Sequence, residues 1–326
     1  MDDKDMFQER IDLSALKESV EKVKAEIRKI VVGQERMVEL LIVSILSDGH
    51  VLLEGVPGVA KTLTAKLMSR VISADFSRIQ FTPDLMPSDV LGTSVFNMKT
   101  SEFEFKKGPI FSNIILVDEI NRAPAKTQSA LFEVMEEHQV TIDGQTYKME
   151  EPYIIMATQN PIEQEGTYRL PEAQLDRFLF KVNVDYPDLV QETTLLREFD
   201  QRKVTNDPSQ LKPVLTRKNL LEYREKIKQV IVEDHLYGYI ASIVNETREY
   251  HALYLGASPR ASLAILRSSK AMAAIRGRDF ITPEDIKEVA FSVLRHRVIL
   301  TPEKEMEGSN TDDVIREILD KIEVPR

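Results

Sequence analysis

The feature that most constrains the fold is a short apolar run that leads into a glycine-containing segment and then into a helical pattern. The run HVLLE at positions 50–54 has the length of a buried strand, and GVPGVAKT occupies positions 55–62. Backbone N–H groups of a tight loop can converge on phosphate oxygens at the positive end of the following helix. The order strand, loop and helix therefore predicts a phosphate-binding loop.

The side chains of this segment suit a nucleotide and its metal. Lys61 would supply a point charge to the phosphates, and the hydroxyl of Thr62 would bind Mg²⁺. Ala60 stands where the pattern GxxxxGK[ST] has its second glycine, a change that is tolerated with helical dihedrals and costly at positive φ. A strand, turn and helix with an incidental lysine is the alternative. The expected contacts are Gly55, Val56, Pro57, Gly58, Val59, Ala60, Lys61, Thr62 and Leu63.

Two carboxylates follow a second apolar run, IILV at positions 114–117. In P-loop enzymes an aspartate at a strand end holds Mg²⁺, and an adjacent acid can polarise the attacking water. We therefore expect Asp118 to bind the metal and Glu119 to act as the general base. A strand that ends in solvated acids is common in isolation, but here it would have to coincide with an upstream phosphate loop.

Short apolar strands alternate with helical patterns through the first part of the chain. Further strands are expected at 79–81, 154–157 and 178–184, and the alternation favours an α/β fold with a parallel sheet. Two insertions should form β-hairpins, at 93–107 and at 139–150, where Asp143 and Gly144 form a strong turn signal.

The chain should contain an N-terminal helix and two domains. Apolar residues at helical spacing predict an amphipathic helix near positions 12–30. The strand signal fades after about position 187, and helical patterns continue to the end. The expected boundaries are therefore 1–30 for the N-terminal helix, 31–187 for the α/β domain and 188–326 for a smaller helical domain.

Composition narrows the classes of function. The 326 residues include no cysteine, so disulfides and thiolate metal sites are excluded. A formal net charge of -10 repels phosphate backbones and makes nucleic-acid binding unfavourable. The N-terminus lacks a secretory pattern, and no apolar stretch approaches the ~20 residues of a membrane span, so the cytoplasm is the expected compartment. The histidines show no metal-ligand spacing, which leaves Mg²⁺ as the expected metal.

Four segments together resemble the MoxR family of AAA+ ATPases, in the same order and across nearly the whole chain. They are GVPGVAKT, ILVDEINRAP, ATQNPIEQEGTYRLPEAQLDRFLFKV and GASPRA. The resemblance implies an α/β nucleotide domain with a small helical lid. It also implies a ring of identical subunits, usually a hexamer, that binds ATP between neighbours.

The resemblance also implies roles for individual residues. Asn160 matches the sensor 1 position that orients the attacking water, and Arg177 matches the arginine finger that reaches the neighbour's ATP. Arg260 matches sensor 2 in the lid. A cation in the first turn is disfavoured by the helix dipole, so its position needs another reason, either contact with a phosphate or pairing with a nearby surface carboxylate. Arg169 is a second candidate for the finger.

The resemblance further suggests that the segment before the second helix approaches the adenine. Its residues are Val31, Val32, Gly33 and Gln34. Ordinary core packing is an equally good explanation for the two valines.

The resulting hypothesis is a chaperone-like remodeller that hydrolyses ATP, with the hairpins transmitting motion to a client protein. The resemblance implies clients with a von Willebrand factor A domain. One alternative is a nucleic-acid motor or a chelatase motor subunit, since related AAA+ groups also carry hairpin insertions. Another is a nucleotide-regulated scaffold that binds ATP without hydrolysing it.

Overall fold

The structure is a computed structural model that describes residues 10–161, 167–201 and 211–325. It divides into two compact units, Lys22–Leu221 and Met1–Glu21 together with Glu222–Arg326. Part of the ATQNPIEQEGTY segment, residues 162–166, lies outside the described residues. The domain boundaries expected from the sequence pattern stay a prediction.

The larger unit alternates helices and strands, as the apolar pattern predicts. In chain order, the elements up to its end are α1 (Ser14–Arg28), α2 (Glu35–Leu46), β1 (His50–Glu54), α3 (Lys61–Val71), β2 (Phe76–Gln80), α4 (Pro87–Leu91), β3 (Gly92–Asn97), β4 (Glu102–Lys107), β5 (Ile114–Asp118), α5 (Ala125–Glu137), β6 (Gln139–Ile142), β7 (Gln145–Lys148), β8 (Ile154–Gln159), α6 (Glu172–Leu175), β9 (Phe178–Asn183), α7 (Leu189–Gln201) and α8 (Arg217–Lys228). The division into units falls within α1 and within α8, so each of these helices is shared between the two units.

Five of these strands form one parallel sheet in the order β2-β5-β8-β1-β9. The prediction of a parallel sheet is confirmed. Strands β5 and β8 are buried almost throughout, as expected for the inner strands of a parallel sheet. Both strands could be predicted from their near-continuous apolar sequences, because a strand that is buried on both faces has no alternation of apolar and polar residues.

Strand β2 differs from the prediction. We expected a strand at 79–81, whereas the strand is Phe76–Gln80 and Phe81 follows it. Because β2 is the edge strand and pairs only with β5, much of its sequence remains accessible and carries no continuous apolar signal. Ile79 is its one buried residue.

Both expected hairpins are confirmed. Strands β3 and β4 pair antiparallel, as do β6 and β7, which are joined at Asp143 and Gly144. These two turn residues have φ values of 51° and 77°, the left-handed pair that a two-residue hairpin turn requires. The rings of Phe105 in β4 and Tyr147 in β7 lie 4.5 Å apart, so the two hairpins pack against each other.

The smaller unit is mainly helical. After α8, its elements are α9 (Asp234–Glu249), β10 (Leu253–Leu255), α10 (Pro259–Ile275), α11 (Pro283–Leu294), β11 (Ile299–Leu300), α12 (Pro302–Met306) and α13 (Thr311–Lys321). Ser258 and Thr282 are the N-cap residues of α10 and α11, and each is followed by proline at the first helical position, a pattern typical of a helix start. The short antiparallel pair of β10 and β11 was not predicted.

Across residues 10–161, 167–201 and 211–325, no helix combines the length and the apolar character needed to cross a bilayer.

Candidate functional site

The carboxyl ends of four neighbouring strands meet at one edge of the sheet. The register pairs Glu54 at the end of β1 with Gln159 at the end of β8, and Gln80 at the end of β2 with Asp118 at the end of β5. Segments that follow these strands are therefore brought together although they are far apart in the chain. This edge is where open α/β sheets bind their ligands.

The loop between β1 and α3 is held close to the sheet. The amide of Gly55 donates to the carbonyl of Gln159 at 3.3 Å. A Cβ atom on Gly55 would lie 2.4 Å from the carbonyl oxygen of Val184, so only glycine fits there. The loop then runs to Lys61, the first residue of α3.

Ala60 has a positive φ, which is the energetically costly alternative, and does not have helical dihedrals. Its φ is 63° and its ψ is 19°, which places it in the left-handed region at the N-cap of α3. For an L-residue this region costs roughly 1–2 kcal/mol. Gly58, with a φ of 90°, shares the positive φ, and alternating backbone conformations of this kind turn successive N–H groups towards an anion.

A cavity of about 360 Å³ opens beside this loop. Its lining includes nine of the residues predicted to contact nucleotide, metal or attacking water, together with four that were not predicted. The predicted residues are Pro57, Gly58, Ala60, Lys61, Thr62, Leu63, Asp118, Glu119 and Asn160. The others are Arg78, Gln80, Thr158 and Gln159.

The carboxylate of Asp118 is the centre of the polar contacts. Its Oδ1 accepts hydrogen bonds from the hydroxyls of Thr62 at 3.3 Å and Thr158 at 3.1 Å, and its Oδ2 accepts one from Nε of Arg78 at 2.6 Å. Oxygen ligands are what Mg²⁺ prefers. The adjacent oxygens of Thr62 and Asp118 therefore fit the metal that the sequence implies.

Glu119 is fixed in an unusual conformation next to Asp118. Its φ of 56° is left-handed, and its amide donates to the hydroxyl of Thr158 at 3.0 Å. Its Oε2 accepts a hydrogen bond from Nε2 of Gln80 at 2.9 Å and lies 3.2 Å from Nε of Arg122. Strained backbone conformations of this kind concentrate at functional sites and persist because surrounding contacts hold them. Here the hydrogen bond from the Glu119 amide to Thr158 is such a contact.

Lys61 is partly withdrawn from water beside the cavity. Burial lowers the pKa of its ammonium group, while the carboxylates of Asp118, Glu54 and Glu119 oppose that shift. Its Nζ donates to the carbonyl of Gly55. An anion in the cavity would further stabilise the charged form of this lysine, as a phosphate-binding role requires.

Four residues of the cavity lining were not predicted from the sequence, and three of them contact Asp118 or Glu119. Arg78 and Gln80 lie on the edge strand β2, and Thr158 lies on the buried strand β8. A signal for the first two existed, because Arg78 and Gln80 flank the buried Ile79 and must share one face of the strand. Thr158 gave no signal, since a single threonine is ordinary in a buried strand.

The two candidate finger arginines lie outside this cavity lining. Arg177 donates through Nη1 to the carbonyl of Phe132 in α5, and its Nε lies 3.9 Å from the carboxylate of Glu136. The side chain of Arg169 is 83% exposed and pairs with Glu172 at 3.3 Å. Their assignment as fingers stays a prediction.

Of the other predicted residues, Val56 and Val59 belong to the loop after β1, Val31, Val32, Gly33 and Gln34 precede α2, and Arg260 lies in the smaller unit. Val31 is buried, Gly33 has a φ of 77°, and Nε2 of Gln34 donates to the carbonyl of Asp185 at 3.2 Å. Arg260 lies in the first turn of α10, and its amide donates to Oγ of Ser258 at 3.2 Å. The adenine contacts, including Val32, and the sensor 2 role stay predictions.

Comparison with known proteins agrees with this geometry. Residues 50–180 match the model of the ATPase family associated with various cellular activities (AAA), and residues 245–318 match the AAA lid domain. The chain is 45% identical to Chaperone MoxR1 of Mycobacterium tuberculosis, over 96% of this chain and 84% of that protein. It is also 45% identical to the uncharacterized protein YeaC of Bacillus subtilis, over 92% of each chain.

The fold also matches a solved structure. A crystal structure at 2.00 Å resolution of an ATPase candidate from Cytophaga hutchinsonii has a TM-score of 0.88 and 44% identity. The match covers 96% of this chain and 97% of the other.

Proposed function

Because this chain belongs to the MoxR family of AAA+ ATPases, we propose that it hydrolyses ATP to ADP and phosphate and uses the energy to remodel a client protein. The observation that carries the proposal is the cavity at the sheet edge, where Lys61, Thr62, Asp118, Glu119 and Asn160 converge from three different strands and their following segments. A scaffold that bound nucleotide without hydrolysing it would have no chemical need for Glu119 and Asn160.

The residues of the cavity divide the work of hydrolysis. Lys61 offsets phosphate charge. The oxygens of Thr62 and Asp118 would hold Mg²⁺, which would neutralise charge on the phosphate oxygens. Glu119 accepts a proton from the attacking water, and the amide of Asn160 orients that water. The contact of Thr158 with both Asp118 and the Glu119 amide keeps these two carboxylates in a fixed relation.

Glu119→Gln tests the catalytic part of the proposal. The amide cannot accept the proton, so turnover should fall by roughly 100-fold or more, while ATP affinity stays within a few fold because the phosphate contacts remain. Steady-state phosphate release and calorimetry with a slowly hydrolysed ATP analogue measure the two quantities. Glu133→Gln, the same change at an exposed site in α5, is the control. Unchanged phosphate release in Glu119→Gln would remove this residue from its role.

The hairpins are proposed to transmit the nucleotide cycle to the client. Phe96, Met98 and Phe103 on the first hairpin are 48%, 88% and 73% exposed, an apolar surface that a client segment could bury. Phe96 and Phe103 face each other across the strands with their rings 5.3 Å apart. We further propose a ring of identical subunits, probed below, and a client that carries a von Willebrand factor A domain.

A binding experiment tests the client part separately. A purified von Willebrand factor A domain protein should bind Glu119→Gln in the presence of ATP, and the double variant Phe96→Ser, Phe103→Ser in that background should lose the interaction. Retained binding by the double variant would exclude this hairpin surface, whereas equal binding with and without ATP would separate client binding from the nucleotide cycle.

A further inference from the structure

Arg78 makes a shorter polar contact to the Asp118 carboxylate, the proposed metal ligand, than Thr62 or Thr158 does. Its Nε donates to Oδ2 of Asp118 at 2.6 Å, and its Nη2 donates to the side-chain oxygen of Gln80 at 3.2 Å. The other carboxylate oxygen, Oδ1, is shared by the hydroxyls of Thr62 and Thr158. Both carboxylate oxygens of Asp118 therefore accept hydrogen bonds, and the donor to Oδ2 is a cation.

The two partners differ strongly in their exposure to water. The Asp118 side chain is only 7% exposed, whereas that of Arg78 is 54% exposed. A buried carboxylate is costly without a compensating cation, but an exposed guanidinium can move into solvent at little cost. Arg78 can therefore leave Asp118 easily, provided that another cation takes its place.

We propose that Arg78 is a positioning residue that holds the Asp118 carboxylate and that Mg²⁺ displaces when it binds together with the nucleotide. The inference rests on the proposed function, in which Asp118 belongs to the metal site. A magnesium ion binds carboxylate oxygens at about 2.0–2.1 Å. A guanidinium paired with the same carboxylate would lie close to the ion, so the two cations would compete for the Asp118 carboxylate.

The position of Arg78 on β2 determines which groups surround its side chain before and after it leaves Asp118. The neighbouring Gln80 on the same face holds Glu119, so one edge strand contacts both the metal carboxylate and the proposed base. Arg78 also lines the cavity that contains Lys61, so a displaced guanidinium stays beside the phosphate site.

Competition predicts that Arg78 weakens the coupling between metal and nucleotide. The measurement is the dissociation constant of a fluorescent, non-hydrolysable ATP analogue in excess Mg²⁺ and in EDTA at equal ionic strength. The ratio of the EDTA value to the Mg²⁺ value reports the advantage that the metal confers. In Arg78→Gln this ratio should rise by roughly 3- to 10-fold, because the competing charge-assisted pair is gone.

Two further variants separate competition from other effects. Arg78→Lys keeps a cation and should give a ratio near the wild-type value. Arg122→Gln removes one positive charge beside Glu119, at a residue that is not among those lining the cavity, and should raise the ratio less than Arg78→Gln does. A merely structural role of Arg78 would change both dissociation constants by the same factor and leave the ratio unaltered.

The outcomes distinguish this inference from the proposed function. If the wild-type protein binds the analogue and the ratio is the same in Arg78→Gln, or rises equally in Arg122→Gln, the exchange of Arg78 for Mg²⁺ is wrong while nucleotide binding stands. If the wild-type protein binds the analogue in neither condition, the proposed function fails and this inference fails with it.

Discussion

At the scale of single residues, two residues that line the cavity have a left-handed backbone although neither is glycine. Ala60 and Glu119 have φ values of 63° and 56°. Each such residue costs of order 1–3 kcal/mol and persists only when its surroundings hold it in place. At Ala60 the sequence left two possibilities, and the backbone conformation selects the one that carries a cost.

Replacing this alanine tests the cost directly. Ala60→Gly should raise the free energy of unfolding by about 1 kcal/mol, because glycine adopts positive φ without a steric penalty. Thermal unfolding by calorimetry measures the change. Ala65→Gly, the same substitution inside α3, should instead lower stability by about 1 kcal/mol through the loss of helix propensity. Equal destabilisation in both variants would contradict the strain at Ala60.

At the scale of elements, the two hairpins are linked by aromatic packing rather than by strand pairing. Tyr147 of β7 contacts Phe105 of β4 at 4.5 Å and Phe111 at 6.4 Å between ring centroids. The hydroxyl of Ser94 in β3 also donates to the carboxylate of Asp143 in the second hairpin's turn. We therefore expect the two hairpins to move together.

Removing the aromatic contact should release the first hairpin. In Tyr147→Ala the amides of 92–97 and 102–107 should exchange hydrogen roughly 2- to 10-fold faster, since aromatic pairs contribute about 0.5–1.5 kcal/mol beyond area burial. Hydrogen–deuterium exchange with mass spectrometry measures this. Phe103→Ala, whose ring packs on Phe96 near the exposed end, is the comparison and should leave the exchange of 139–148 unaltered. Slow exchange of β3 and β4 in Tyr147→Ala would show that the hairpins are independent.

At the scale of the whole molecule, the proposed ring requires a residue that acts on a neighbouring subunit. Arg177 is held by the Phe132 carbonyl and by Glu136, whereas Arg169 is largely exposed beside Glu172. To reach a neighbour's phosphate, Arg177 would have to give up a part-buried hydrogen bond to Phe132, whereas Arg169 would have to give up an exposed ion pair with Glu172.

Mixed assemblies distinguish the two arginines. If Arg177 acts on the neighbour's ATP, adding Arg177→Ala subunits to Glu119→Gln subunits should restore part of the turnover, because some interfaces then contain an intact Glu119 and an intact Arg177. Phosphate release across mixing ratios measures the recovery, and Arg169→Ala subunits are tested in parallel. No recovery at any ratio with either variant would argue against an arginine that acts between subunits.

Net charge makes its own prediction about partners. With a formal net charge of -10, the field of the molecule opposes phosphate backbones, so single-stranded and duplex DNA should leave ATP turnover unchanged at low salt. Phosphate release with and without DNA checks this. Stimulation by DNA that disappears as the salt concentration rises would favour the nucleic-acid motor over the protein remodeller.

Much of the fold was determined by the sequence pattern alone. Local chemistry specifies the buried strands β5 and β8, the loop between β1 and α3, both hairpins and the helix caps. The signals are apolar runs, turn residues with left-handed preference, and N-cap hydroxyls. Because each of these signals lies within a few neighbouring residues, the chain specifies them without reference to the rest of the molecule.

Only the tertiary structure decided which side chains meet Asp118 and Glu119. The edge strand β2 has a mixed sequence, and nothing near Arg78 or Gln80 in the chain says that parallel pairing with β5 places them beside carboxylates roughly 40 positions away. The left-handed conformation of Ala60 could not be predicted from the sequence either, because alanine prefers right-handed helical dihedrals and the surrounding fold overrides that preference. Local preference specifies elements, whereas contacts between distant strands are set by the register of the sheet.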